Sequence, residues 1–211
     1  LDELEAMLAG VITLRETRVV LIVGEPGVGK SALLGGLGEL MARRSGQLAS
    51  GGFSAAHSDQ PFRGLVAALG QLCDQLLIES DERLAEWREQ FTTSLGSLAR
   101  VIVELVPSGE ALLGEQPELA GLEPARAKNR LHLAIARFLA VIAQRQPLLL
   151  ALDDIDHADA SSLELLSVIA SGEVAGSLLI VATLGSEALT ESGEDSPLRA
   201  LVSTLEQSGR S

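Results

Sequence analysis

Apolar positions along the chain fall into two alternating rhythms. Leu4, Leu8 and Val11 lie three to four residues apart, which predicts a helix over residues 1–14. Arg18–Val23 is a short β-branched apolar run ending at Gly24, as expected of a strand buried on both faces. Helical spacing resumes over Ser31–Arg44, and Gln47–Ser54 is a weaker strand, loosened by Gly51 and Gly52. From Pro61 to Gln146 the pattern is helical almost throughout: Leu65, Leu69, Leu72 and Leu76 keep the period, as do Leu131, Ile135, Phe138, Leu139 and Ile142. Gly109, Gly114, Pro117 and Gly121 break it, so Pro107–Pro124 reads as a linker. Leu148–Leu152 is a second buried strand and Ser177–Thr183 a third. The helix between them, Ala160–Ser171, is capped by Ser161 or Asp159, and Pro197–Gln207 is a closing helix.

Strands that alternate with helices predict an α/β fold, a parallel sheet flanked by helices. Residues 61–146 are too many for one crossover and read as a helical insertion within a single unit spanning 1–211. The chain opens inside an amphipathic pattern and stops soon after a strand–helix unit, so the sequence-based expectation is a module cut from a larger protein, with its other domains as partners.

Composition narrows the functions available. A net charge of −13 and a pI near 4.6 argue against nucleic-acid binding by this segment's own surface, because backbone phosphates need a basic patch. Aromatics make up 2% of the chain, so Leu, Val, Ile and Ala must build the core. The single Cys73, in leucine-rich helical surroundings, excludes an internal disulfide and is expected as a buried thiol. The longest apolar runs are too short to span a bilayer, and a cytoplasmic setting is expected.

Candidate chemistry concentrates in two places. Gly24-Glu25-Pro26-Gly27-Val28-Gly29-Lys30-Ser31 fits G-x-x-x-x-G-K-[ST] at every fixed position. Gly24, Gly27 and Gly29 permit the backbone angles that turn successive N–H groups towards an anion. The helix that follows points its positive end at the same place. Lys30 can reach the β and γ phosphates of ATP, and the Ser31 hydroxyl can ligate Mg²⁺. The second place is Leu148–Asp154, an apolar strand ending in two carboxylates: Asp153 is expected to hold Mg²⁺ and Asp154 to orient or deprotonate the attacking water. Asp156 and Asp159 read as turn and cap formers, and His57, His132 and His157 as packing or surface residues. Arg126 and Arg130, at helical spacing, read as a solvated face.

Val19–Leu34 resembles the Walker A region of the signal-transduction ATPases called STAND, with closer similarity to AAA-like ATPase modules of LuxR-family transcriptional regulators and multidomain cyclase or kinase sensors. Asp153–Leu166 is similar to their Walker B segment, DD-x-x-W-A-D. The resemblance implies a P-loop NTPase sheet of order 5-1-4-3-2, with the fifth strand missing here, ATP and Mg²⁺ as ligands, and a signalling switch that can form homo-oligomers. The sequence departs from the family at Gly185, where an Arg two residues past Thr183 is usual, and at His157, where an aromatic is usual. The first departure implies slow hydrolysis. The alternative is a non-hydrolysing nucleotide-binding scaffold. A metabolite kinase would need arginines in the Leu184–Gly193 stretch, and an ABC transporter ATPase would need an LSGGQ-type signature; neither is present.

Overall fold

The computed structural model describes residues 2–57, 60–193 and 195–208. Its centre is a parallel four-stranded sheet of order β1-β4-β3-β2, formed by β1 (Thr17–Gly24), β2 (Gln47–Gly52), β3 (Leu148–Asp153) and β4 (Leu178–Gly185). This is the 1-4-3-2 part of the expected order, and four strands are present among the described residues.

Alternation along each strand decides which layer it faces. Leu149, Ala151, Leu179 and Val181 point to one side, where α1 (Asp2–Leu14), α2 (Lys30–Gly35) and α3 (Leu37–Arg43) bury Leu4, Leu8, Val11, Leu34, Leu37 and Leu40. Leu148, Leu150, Leu152, Leu178, Ile180 and Ala182 point the other way. There they meet a larger layer: α4 (Arg63–Leu77), α5 (Asp81–Leu95), α6 (Ala99–Leu105), α7 (Gly109–Leu113), α8 (Pro124–Arg145), α9 (Ala160–Val168) and α11 (Pro197–Ser208). The short α10 (Ala188–Glu191) follows β4.

Several elements differ from their sequence-based outlines. Leu1 lies outside the described residues, and the first helix begins at Asp2. The helix expected over Ser31–Arg44 is two, α2 and α3, interrupted at Gly36 where Gly35 and Gly36 together weaken the helix. The Pro107–Pro124 linker contains α7, because Leu112 is fully buried and Arg88 donates to the carbonyls of Ala111 and Leu112. The helix expected to run to Ser171 leaves α geometry after Val168, and its N-cap is Asp159. Cys73 is fully buried as expected; loss of hydration, then the Asp74 charge, push its thiol up to about 12.

The two sheet edges are treated differently. Gln47, at the start of β2, and Phe53, just past its end, donate inward to the carbonyls of Pro147 and Asp153, so Leu48 and Ser50 turn their main chain outward. Gln71 and Gln75, one turn apart on α4, take the place of a neighbouring strand: Gln71 accepts from Ser50 N–H and donates to Ser50 C=O, and Gln75 donates to Leu48 C=O. Among the described residues β1 has no such cover. Its open edge lies in an apolar groove of about 640 Å³ between α1 and α11, with Val23 48% exposed.

Candidate functional site

The register brings the strand ends together at one edge of the sheet. Gly24 lies opposite Gly185, and Gly52 opposite Asp153. β3 and β4 pair through Leu152 and Ala182, which sets Asp153 level with Thr183. Loops that follow parallel strands gather at this edge, the usual place for a ligand in an open α/β sheet.

The loop between β1 and α2 makes one wall. Gly27 (φ 81°) and Gly29 (φ 102°) occupy the left-handed region, where a side chain would be strained. Gly24 does not share that conformation; a Cβ there would lie 3.0 Å from the Val28 side chain, so packing rather than backbone freedom explains it. The ammonium of Lys30 donates to the carbonyls of Gly24 (2.8 Å) and Glu25 (3.1 Å), folded back over its own loop.

The opposite wall comes from β3 and β4. Thr183 has no solvent exposure and uses its hydroxyl twice. It accepts from the Asp154 N–H at 2.9 Å and donates to Asp153 Oδ1 at 2.5 Å. Both aspartates are thereby tied to the end of β4, and Asp154 is held at φ 54°. Burial, followed by the charges of Asp153 and Asp156, raises the Asp154 pKa above its ordinary value, while His157 and Lys30 act against that rise.

A recess of about 420 Å³ lies between these walls, lined by Pro26, Gly27, Gly29, Lys30, Ser31, Asp154, Asp156, His157 and Gly185 among others. A second recess, of about 540 Å³, adjoins it through Ser31 and is lined there by Asp153, Gly52 and Gln71. Lys30, Ser31, Asp153 and Asp154, singled out from sequence, are thus brought together. Glu25 and Val28 are exposed and do not line the recess. Arg126 is exposed, and Arg130 donates to the Ala120 carbonyl. His132 is buried against Phe62, and the side chain of His57 lies outside the description.

Two residues at this site, and one beyond its lining, go further than the sequence reading. Asp156, expected as a turn former, lines the recess, and its Oδ1 is buried without a hydrogen-bond partner. The 3₁₀ turn Ile155–His157 carries it there, with His157 beside it. Thr183, a mere landmark in sequence, holds the Asp153 carboxylate and the Asp154 main chain. A strand ending in Thr level with one ending in Asp-Asp was the available signal, but it needs the register. Asp159 does cap α9, yet it also accepts from the Phe62 N–H.

A strand–glycine loop–helix unit facing strand-end carboxylates defines the class of phosphate-binding-loop α/β proteins. The chain belongs to the AAA ATPase domain family, which it matches over residues 1–181. It is also similar to the hybrid signal transduction histidine kinase G of Dictyostelium discoideum, with 30% identity over 155 residues; that stretch is 71% of this chain and 4% of that protein. Among the described residues no helix is long and apolar enough to cross a membrane.

Proposed function

We propose that this chain is a nucleotide-operated switch within a multidomain signalling protein, binding ATP with Mg²⁺ and hydrolysing it slowly. The observation that carries this reading is the recess where Lys30 and Ser31 meet Asp154 across the sheet edge, with Asp153 beside Ser31.

The amides of Gly27 and Gly29 bind the phosphates, and Lys30 exchanges its two loop carbonyls for phosphate oxygens. Hard oxygen donors suit Mg²⁺, and the donor set here is the Ser31 hydroxyl with the Asp153 carboxylate, while Asp156 contributes a buried oxygen that lacks a partner. When bound, the metal neutralises phosphate charge. Asp154 accepts a proton from water as the water oxygen bonds to the γ phosphorus and the bond to the ADP oxygen breaks. A raised pKa makes Asp154 the stronger base at neutral pH. Ordering of the loop around Asp154–Asp159 in the ATP state gives other domains something to read. The similarity to a signalling kinase of many domains supports that setting.

Gly185 supports a second reading, a non-hydrolysing scaffold. It offers no side chain on the rim, and among the described residues Lys30 is then the one permanently charged cation lining the recess. Phosphate release measured for the wild type and for Asp154→Asn separates the two. A drop of about a hundredfold in the variant, with binding kept, is the expected result. Turnover that is equal in the two proteins contradicts the role given to Asp154.

A further inference from the structure

We infer that Asp159 is a positioning residue that joins the phosphate site to the helices between β2 and β3, its two carboxylate oxygens doing separate work. This inference rests on reading the Asp153–Asp159 loop as part of a nucleotide site.

Oδ1 of Asp159 accepts from the Ser162 N–H at 3.0 Å, the ordinary cap of α9. Oδ2 accepts from the Ser162 hydroxyl at 2.5 Å and from the Phe62 N–H at 2.9 Å. A cap does not need that last bond. It reaches across 97 residues to the entrance of α4.

Phe62 is held there in an unfavourable conformation. Its φ is 61°, a region that a bulky L residue seldom occupies. Its N–H is fixed by Asp159, and its carbonyl accepts from Val66 at 2.7 Å, opening α4. The ring is buried and meets His132 of α8 edge-on, centroids 6.4 Å apart. α4 is seated directly on the sheet, where a Cβ on Gly51 would come within 1.9 Å of the Gly64 carbonyl oxygen. Movement of the loop is therefore passed to α8. Further along α8, Phe138 stacks on Phe91, and Phe91 stacks on Trp87. Trp87 is the chain's sole tryptophan, and Arg145 at the end of α8 lies 4.6 Å from its ring. The chain thus carries its own optical reporter at the far end of this path.

Asp159→Asn separates the two jobs. The amide oxygen keeps the Ser162 N–H, and the amide N–H₂ donates to the Ser162 hydroxyl, so α9 stays capped. Towards Phe62 the variant presents a donor against a donor, and the tie is lost. The test titrates Mg²⁺ and ATP into both proteins, following affinity by displacement of a fluorescent nucleotide and Trp87 by its emission. In the wild type, Trp87 emission changes with ATP occupancy. In Asp159→Asn, affinity stays within about threefold of wild type, since no phosphate contact is removed, while the Trp87 response disappears. A variant that keeps the full Trp87 response overturns the inference, as does a wild type that binds ATP with Trp87 silent. A wild type that binds no nucleotide overturns the functional reading itself, and the inference with it. If Asp159→Asn fails to fold, hydrogen exchange at residues 60–66 of the wild type decides: slowing on addition of Mg²⁺ and ATP supports the tie, and unchanged exchange overturns it.

Discussion

The hydroxyl of Thr183, closed off from water, serves as both acceptor and donor between Asp154 and Asp153. Replacing it with the isosteric Val removes both bonds and leaves a carboxylate oxygen and an N–H to find other partners. Thr183→Val is expected to cost about 2 kcal/mol, measured by urea unfolding, since one of the two bonds is to a charged group. Asp154 works in the opposite direction. Its pKa is raised in the folded state, so the fold binds that proton more tightly than the unfolded chain does. Stability is therefore lost as pH rises from the ordinary carboxylate value of 3.8 through the raised one. Asp154→Asn removes this cost: a higher Tm than wild type is expected at pH 7, with the gain fading as pH falls below 3.8. A gain that persists unchanged at low pH contradicts the assignment of burial as its cause. At this scale sequence located the residues but not their partners. Lys30 and Ser31 follow from fixed motif spacing, and Asp153 and Asp154 from the end of an apolar strand. Asp156 does not, because only the turn Ile155–His157 brings it back to the recess.

At the scale of elements, α4 and β2 meet through glycine. Gly51 and Gly64 leave no room between helix and strand, and Phe53 packs against Gly64 from the other side. Gly51→Ala must push α4 off the sheet, because the atom it strikes is main chain. About 3 kcal/mol or more is expected from chemical unfolding, at the high end for overpacking. A cost below about 1 kcal/mol would show that the helix has freedom the packing denies. Sequence reading marked Gly51 and Gly52 as weakening a strand. It could not show that their smallness lets a helix approach, since that depends on a contact 13 residues away in sequence. Strands and long helices were legible because their periods repeat. The division of α2 from α3 and the presence of α7 were not: a glycine pair and a buried Leu112 decide them, and neither alters the period.

For the molecule as a whole, three layers and the order β1-β4-β3-β2 put every strand end at one edge, and the phosphate-binding loop starts there. The alternation of strands and helices gave the parallel sheet, and the order itself came through family resemblance rather than through any local signal. One face of the sheet carries three helices, whereas the other supports the helices that reach Trp87. That asymmetry suits a switch whose ligand sits at one place and whose effect is read at another. The net charge of −13 would by itself repel a polyphosphate, so binding has to come from Lys30, the loop amides and Mg²⁺ acting locally. The most direct test is calorimetric titration of ATP, with and without Mg²⁺, into the wild type and Lys30→Ala. Binding by the wild type that weakens when Mg²⁺ is removed, and falls at least about tenfold (~1.4 kcal/mol) in Lys30→Ala, is the expected result. Equal affinity in the two proteins would contradict it.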